Sequence, residues 1–496
     1  MVDGADKATL SRRAVGGVVA LGAREGAMRV LAFAGDIALY RLLLPEVFGL
    51  VVPVAFLAGI IKHFSDLGLA ASLIQSPDEP RERDLRTVFT VQAMLVTAAA
   101  IFIFFAGPLI LDALDEGSPD PWLIRAFGLS ILLSVFRAVP AAMLERHLQF
   151  GRLATADVSG TVWFYAAGLA LAAAGAGPWA LVAAHVGGSV VPTLLLLFLY
   201  PWRPSLKIDR SRLLQNIDFG AKFQGQRLLL MLKDSLIPIL GPAAFGRSAT
   251  GFLSWADKIA QQPLLLTQLV ARVSLPALSR AQGEMETVRA GAMLALKWNC
   301  LLTFPFFALI FAFAEEIAGL IYGDTWTPAV PALYVLTVNA MLVPINGLLY
   351  PVLNAIGHSG RLLVVSAVWT AVAWGLAGIL LLIGMDYRAV AVGLVGSQIF
   401  AFAYLLFDIK RIVGINVLRP VAYPAAAAAL SGLIGFLFLR PVAANIPMLL
   451  LLGAVLLAGY SAAIYALDGK SLRNEGLSAL RLRRRDRRGR GAVTSL

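Results

Sequence analysis

The chain has 496 residues, of which 59% are hydrophobic and only 15% are charged, and its mean hydropathy is +0.77. This composition excludes the soluble globular classes, because apolar stretches long enough to cross about 30 Å of hydrocarbon recur along the whole chain. The formal net charge of +12 does not indicate nucleic acid, since most basic residues lie between these stretches or in the tails.

The hydropathy pattern predicts about fourteen membrane-spanning helices, and therefore an all-α polytopic membrane protein. In chain order they lie near residues 14–39, 46–70, 86–106, 121–142, 153–174, 178–200, 216–240, 247–275, 292–314, 328–356, 361–383, 388–408, 420–439 and 444–466. An even number of spans places both termini on one side of the membrane. The connecting segments on that side are rich in Lys and Arg, whereas the segments 107–120 and 315–324 on the other side are acidic. The positive-inside rule therefore predicts that both termini are cytoplasmic.

A short internal repeat divides the predicted spans into two sets of six. LLPEVFGL at 43–50 is echoed by LGPAAFGR at 240–247, and each copy leads into a long span. The even offset predicts two six-helix lobes related by a pseudo-two-fold axis along the membrane normal, with a cavity between them. The predicted organisation is an N-terminal lobe at 1–200, a cytoplasmic linker at 201–222, a C-terminal lobe at 223–415, two extra spans at 416–466 and a basic cytoplasmic tail at 467–496.

The first predicted span carries four ionisable residues, Arg24, Glu25, Arg29 and Asp36. Each would cost about 2.5–3.5 kcal/mol at the bilayer centre, so they are tolerable only where they face protein or water inside the bundle. At about 100° per residue, Glu25, Arg29 and Asp36 fall on one helical face. This face predicts a binding cavity or a pathway. The structural alternative is a Glu25–Arg29 ion pair satisfied inside the bundle.

Two later spans carry the other candidate cavity residues. The seventh places Arg227 and Asp234 on one face, but the neighbouring Lys233 makes a satisfied ion pair an equal alternative. In the eighth, a polar stripe on one continuous helix consists of Asp257, Gln261, Gln268 and Arg272. The structural alternative is that the residues of this stripe form hydrogen bonds to neighbouring helices and hold the bundle together. We interpret Arg137 as interfacial and His185 as structural. The excess of arginine among the membrane-embedded residues suits an anionic substrate, because Arg binds phosphate through paired donors.

Several segments resemble the bacterial polysaccharide transporter family, in order along much of the chain. They are YRLLLPEVFGLVVPVAFLAGIIKHFSDLGLAASLIQ at 40–75, RAVPAAMLERHLQFGRLATADVSG at 137–160, GAGPWALV at 175–182, LSWADKIAQQPLLLTQLVARVSLPALSRAQ at 253–282 and GDTWTPAVPAL at 323–333. This family belongs to the larger group that includes lipid II flippases and multidrug and toxin extruders. RVLAFAGD at 29–36 is similar to lipid II flippases, which implies that Arg29 and Asp36 belong to a cationic cavity. Gly35 stands where that pattern has a second arginine.

The resemblance implies export of a lipid-linked oligosaccharide, the undecaprenyl-diphosphate repeat unit of an exopolysaccharide, capsule or O-antigen. It implies movement from the inner to the outer leaflet of the bacterial inner membrane, with a polysaccharide polymerase and glycosyltransferases as partners. The basic run at 480–490 predicts contact with anionic membrane lipids. No nucleic-acid partner, metal or cofactor is expected, and coupling to a proton, to sodium or to the membrane potential stays open.

Three other classes of protein compete with this interpretation. A drug/cation antiporter shares the architecture but would favour carboxylates and aromatic residues over arginines in its cavity. A polymerase or another enzyme would need a sizeable outer loop, and the longest predicted outer segment is short. A non-transporting scaffold for glycosyltransferases would not need polar stripes inside the membrane. A flippase without enzymatic activity is therefore favoured.

Overall fold

The computed structural model describes residues 26–65, 73–74, 79–114, 120–206, 228–280, 285–355 and 359–492, without the side chains of 61–65, 272–273, 275–280, 285, 351–352, 354–355, 359 and 470–492. Every regular element in these ranges is helical, which confirms the all-α fold. Ten helices of the described part are long and apolar enough to cross a membrane, or eleven if the bent pair of Leu228–Asp234 and Leu236–Ala260 counts as one span. The chain is a multi-pass membrane protein, and the number of fourteen spans stays a prediction.

The first of two compact units extends to Ser254. Its helices are α1 (26–42), α2 (Pro45–Ser65), α3 (Glu82–Leu114), α4 (Pro121–Arg146), α5 (Phe150–Ala173), α6 (Pro178–Leu199), α7 (Leu228–Asp234), the π-helical turn Leu236–Leu240 and most of α8 (Gly241–Ala260). Helix α5 packs extensively along α6, while α4 packs against both α3 and α6. Of the predicted linker, residues 207–222 lie outside the described residues, and the predicted lobe boundaries stay a prediction.

Local sequence signals explain where helices of this unit begin. Pro121 opens α4, where its missing N–H would have no helical partner in any case. The Asp120 side chain caps the same end by accepting a hydrogen bond from the Trp122 amide at 2.9 Å. Between α5 and α6, Gly175 and Gly177 adopt φ values of +79° and +56°, which glycine reaches without steric cost. The chain therefore reverses tightly there, so that α5 and α6 pack as antiparallel neighbours.

The segments that carry the sequence repeat pack directly against each other within the first unit. A Cβ added to Gly49 would lie 1.8 Å from the Arg247 carbonyl oxygen, and one added to Gly251 would lie 2.0 Å from the Pro45 carbonyl oxygen. Each glycine thus allows the backbone of the other segment to approach more closely than any side chain would permit. The repeat marks a contact between the start of α2 and the middle of α8.

The second unit begins at Trp255. It contains the end of α8, α9 (Leu264–Arg280), α10 (Met285–Ala312), the short segments Ala314–Glu316, Ile317–Tyr322 and Asp324–Ala329, α11 (Val330–Ala355), α12 (Ser359–Leu382), α13 (Arg388–Ile412), α14 (Leu418–Ile434), the turns Gly435–Leu439 and Arg440–Val442, and α15 (Ile446–Ala492). Helix α13 packs against α11 and α12, and α10 packs against α11 and α14. Trp255 stacks on Trp326 with 5.9 Å between ring centroids, and both are fully buried.

Ion pairs attach the last helices to the second unit. Lys297 Nζ on α10 lies 2.6 Å from Asp468 Oδ2 on α15, and the two side chains are only 12% and 15% exposed. Arg440, in the turn after α14, bonds to Glu315 and Glu316, with 3.1 Å between its Nε and Glu316 Oε1. Charge pairing as well as apolar packing therefore joins α14 and α15 to α10 and the segment that follows it.

The prediction of one continuous helix over 247–275 is wrong. Helix α8 ends at Ala260, residues 261–263 form a turn, and α9 begins at Leu264. Pro263 causes the break, because it has no N–H to donate and disfavours helical geometry at the preceding residue. Helix α8 also has a non-helical residue just before this range, at Gly246, where φ is +78°. The predicted polar stripe is consequently divided between two helices.

Candidate functional site

Helix α1 carries two of the predicted cavity residues on one face. Arg29 and Asp36 are seven residues apart, which places them on the same side of the helix with an axial separation of about 10 Å. Both residues are half-buried. The Tyr165 hydroxyl on α5 donates a hydrogen bond to Asp36 Oδ1 at 3.1 Å. This bond fixes the charged face of α1 against α5. Glu25, predicted on the same face, and Arg24, also predicted to line the cavity, lie outside the described residues.

The buried residue Gly35 allows the close contact between α1 and α5. A Cβ at this position would lie 2.2 Å from Tyr165 Cδ1 and within 2.7 Å of two further ring atoms. An arginine here would displace the Tyr165 ring and break its hydrogen bond to Asp36. The departure from the lipid II flippase pattern therefore has a structural reason: the space next to Asp36 is occupied by a tyrosine ring.

A cavity of about 370 Å³ adjoins Tyr165 between α4, α5 and α6. Its lining side chains with polar atoms are Arg137, Asp157, Thr161, Tyr165, His185 and Ser189. Arg137 Nη2 lies 2.6 Å from Asp157 Oδ1, and the two side chains are 31% and 51% exposed. Helix α4 therefore contributes a cation to the cavity, and α5 contributes the anion that pairs with it.

Aromatic rings form another part of the cavity wall. The His185 ring lies 4.9 Å from the Phe164 ring and 5.4 Å from the Phe127 ring, centroid to centroid. The Phe164 and Tyr165 rings are in edge-to-face contact at 5.0 Å. These packed rings hold His185 in place. The cavity thus combines a hydrogen-bonding surface with an aromatic one.

The Lys233–Asp234 pair at the end of α7 forms as the structural alternative anticipated. Lys233 Nζ lies 2.5 Å from Asp234 Oδ1, while the lysine side chain is 15% exposed and the aspartate side chain 63%. This contact favours the ion pair over a free cavity carboxylate at Asp234. Arg227, predicted on the same face as Asp234, lies outside the described residues.

The residues of the predicted stripe in the second unit no longer share one helix. Gln261 Nε2, in the turn, donates a hydrogen bond to Asp257 Oδ2 at 2.6 Å. Gln268 is exposed on α9, and Arg272 belongs to the same helix but its side chain is not among those described. The hydrogen bond between Gln261 and Asp257 therefore joins two members of the stripe. That the charged face of α1 and this stripe line one cavity between lobes stays a prediction.

Sequence reasoning did not connect the residues of the α4–α6 cavity. Arg137 and His185 were interpreted separately as interfacial and structural, and Asp157 was not singled out. The ion pair joins positions twenty residues apart on consecutive helices, so no helical periodicity relates them. The available signal was a carboxylate and an arginine on two spans whose short connection makes them antiparallel neighbours.

The comparisons with known proteins agree on a family. A family model described as polysaccharide biosynthesis protein matches residues 38–331. The lipopolysaccharide biosynthesis protein WzxC of Escherichia coli (strain K12) is 24% identical over 302 residues, 60% of either protein. The teichuronic acid biosynthesis protein TuaB of Bacillus subtilis (strain 168) is 24% identical over 284 residues, 56% of this chain and 58% of TuaB. The aligned part of the chain thus spans less than two-thirds of each relative's length.

Solved structures show the same fold at low sequence identity. The lipid II flippase MurJ, in an inward closed conformation, superposes with a TM-score of 0.72 and 14% identity, covering 90% of this chain and 99% of MurJ. An inward-facing multidrug resistance MATE family transporter of the MOP superfamily gives a TM-score of 0.63 and 16% identity, covering 77% of this chain and 94% of the transporter. At these identities the likeness establishes the fold alone.

Proposed function

The chain belongs to the polysaccharide biosynthesis protein family, and from that membership we propose that it is a flippase for a lipid-linked oligosaccharide. Its substrate is an undecaprenyl-diphosphate-linked repeat unit of a surface polysaccharide: an exopolysaccharide, a capsule or an O-antigen. The protein moves this lipid from the inner to the outer leaflet of the bacterial inner membrane. Its two termini are cytoplasmic, and its partners are membrane lipids, a polysaccharide polymerase and glycosyltransferases.

The observation that carries the proposal is a polar site built into apolar helices. Arg29 and Asp36 lie on one face of α1, and Tyr165 links that face to the α4–α6 cavity. A diphosphate with attached sugars cannot cross hydrocarbon unaided, because burying its charges and hydroxyl groups without partners is costly. A polar path inside the protein supplies those partners, while the polyprenyl chain remains in the surrounding lipid.

Arg29 has the chemistry to bind the diphosphate group. A guanidinium offers paired donors that match phosphate oxygens. Asp36 accepts a hydrogen bond from the Tyr165 hydroxyl, and this bond holds the charged face of α1 against α5. Arg29 is the proposed phosphate ligand, and Asp36 and Tyr165 are positioning residues.

Transport of this anion does not require a chemical reaction in the protein. An inside-negative membrane potential favours outward movement by about 2.3 kcal/mol per charge per 100 mV. We therefore propose transport without enzymatic activity, driven by the potential or by a coupled proton or sodium ion. The likeness in fold to a MATE transporter makes a drug/cation antiporter the second candidate, and the arginine on α1 weighs against it.

Substitution of Arg29 tests the proposal in cells that depend on this protein for polysaccharide export. Arg29→Ala should abolish export while the protein still accumulates in the membrane, because the phosphate loses its cation. Arg29→Lys should retain part of the export, since lysine keeps the positive charge but lacks the bidentate fork of arginine. Arg125→Ala is the control, because Arg125 lies on α4 and not on the charged face of α1, and its guanidinium stacks on the Phe104 and Trp122 rings at 4.9 and 5.0 Å. Normal export by Arg29→Ala would contradict the proposed role.

A further inference from the structure

The cavity between α4, α5 and α6 is polar without being suited to an anion. Its lining residues include one arginine and one aspartate, and these are in contact at 2.6 Å. A phosphate placed against Arg137 would also meet the Asp157 carboxylate, whose like charge repels it. The cavity therefore differs in chemistry from the α1 face, where Arg29 is the proposed phosphate ligand.

The polar groups of the cavity match hydroxyl groups. The Arg137 guanidinium can only donate hydrogen bonds and the Asp157 carboxylate oxygens accept them, so together they suit a ligand whose groups do both. The Ser189 hydroxyl adds a group that donates and accepts, and the Thr161 hydroxyl, which donates to the Asp157 carbonyl, adds an acceptor. Each hydroxyl of a sugar ring is likewise a donor and an acceptor. A polyol satisfies this set of partners without bringing a charge.

The aromatic part of the lining suits the other surface of a sugar. Phe164, Tyr165 and His185 present rings to the cavity, and the C–H faces of a pyranose pack on such rings. The volume of about 370 Å³ lies near the lower end of the range of about 300–1,000 Å³ for small-molecule pockets. It accommodates one or two sugar rings and not a complete oligosaccharide.

Tyr165 connects this cavity to the phosphate-binding face. It lines the cavity, and its hydroxyl also donates a hydrogen bond to Asp36, which lies on the same side of α1 as Arg29. We propose that the α4–α6 cavity is a carbohydrate subsite, which binds the sugar next to the diphosphate while Arg29 binds the diphosphate itself. This inference rests on the proposed function and adds which part of the substrate the cavity recognises.

Binding to the purified full-length protein in detergent tests the subsite with three probes. The first is undecaprenyl diphosphate carrying an oligosaccharide, the second is bare undecaprenyl diphosphate, and the third is the same oligosaccharide released from its lipid. Affinities are measured by microscale thermophoresis. The glycosylated lipid should bind about ten-fold more tightly than the bare lipid, the equivalent of one or two net hydrogen bonds.

Matched substitutions on α5 assign that preference to the cavity. Thr161→Val removes a hydroxyl that lines the cavity and donates to the Asp157 carbonyl at 3.2 Å. Thr155→Val is the control, because Thr155 makes the equivalent bond to the Gly151 carbonyl at 2.9 Å but is not among the lining residues. Asp157→Asn removes the carboxylate, and thermal unfolding confirms that each variant is folded. Thr161→Val and Asp157→Asn should reduce the preference for the glycosylated lipid, and affinity for the bare lipid should not change in any variant.

The outcomes separate this inference from the proposed function. If the wild-type protein binds both lipids equally, or if folded cavity variants keep its preference, the carbohydrate subsite is wrong while the flippase proposal stands. If the wild-type protein binds neither lipid, both proposals fail. Competition by the released oligosaccharide would identify free sugar as a sufficient ligand. If the cavity substitutions reduce the preference for the glycosylated lipid but the released oligosaccharide does not compete, the ligand is the lipid-linked sugar. Either result supports a carbohydrate subsite.

Discussion

The contact between α2 and α8 predicts a large effect from one added methyl group. In Gly49→Ala, the new Cβ would lie 1.8 Å from the Arg247 carbonyl oxygen and 2.6 Å from its carbonyl carbon. Non-bonded contacts of real Cβ atoms with heavy atoms are essentially never shorter than 3.0 Å. The two segments must therefore separate by more than 1 Å, which is an overpacking defect of the kind that destabilises cores.

The magnitude follows from the atoms involved. Both near atoms belong to the backbone, so no side-chain rotation relieves the contact, and the cost should reach the upper part of the range of about 1–3 kcal/mol for overpacking. Separation also strains the hydrogen bond from Ser248 Oγ to Glu46 Oε1 at 3.1 Å, which joins the same segments. Against a total stability of about 5–15 kcal/mol for a typical domain, Gly49→Ala should lower the unfolding temperature by several degrees.

Thermal unfolding of the purified protein in detergent, followed by intrinsic fluorescence, measures this effect. Gly59→Ala is the matched control, because it lies on the same helix and an added Cβ there meets no heavy atom within 4 Å. It should be neutral or slightly stabilising, since alanine favours helix over glycine. If Gly49→Ala is as stable as Gly59→Ala, the close approach of α2 to α8 is refuted.

Three other outcomes are expected. Gly35→Arg, which introduces the arginine of the lipid II flippase pattern, should reduce polysaccharide export because the new side chain displaces Tyr165. Increased export by this variant would argue against the Tyr165–Asp36 contact. Lys297→Ala and Asp468→Ala should each cost a few kcal/mol, because each removes the ion-pair partner of a largely buried charge. The double substitution should cost less than the sum of the two single substitutions, and additive changes in unfolding temperature would exclude the pair. Reporter fusions after residues 115 and 320 should read as external and a C-terminal fusion as internal, and an external C-terminus would overturn the predicted topology.

Hydropathy located most of the helices because hydrocarbon imposes a minimum length of apolar sequence. Predicted spans beginning at residues 121 and 178 correspond to helices that begin at Pro121 and Pro178. The same signal failed over 247–275, where apolar residues continue on both sides of Pro263 and conceal the break that this proline makes. Hydropathy therefore indicates which residues are apolar enough to be buried in lipid but not whether their backbone is one helix.

Helical periodicity found only the part of the site that lies on a single helix. Arg29 and Asp36 share a face of α1 because they are seven residues apart. Tyr165 is 129 residues from Asp36 along the chain, and no local pattern relates the two residues. The reason for Gly35 likewise lies on α5, in the ring that fills the space next to it. Such relations depend on tertiary packing, which one sequence without the structure does not reveal.

Transfer of the lipid in reconstituted vesicles tests the central proposal most directly. Undecaprenyl diphosphate carrying an oligosaccharide is incorporated into both leaflets, and a glycosidase added outside trims the sugars that it can reach. Vesicles with the wild-type protein should lose their protected fraction of glycosylated lipid, whereas empty vesicles and vesicles with Arg29→Ala should keep it. If the wild-type protein leaves the protected fraction unchanged, and especially if the same vesicles transport a cationic drug, the proposal of a lipid-linked oligosaccharide flippase is contradicted.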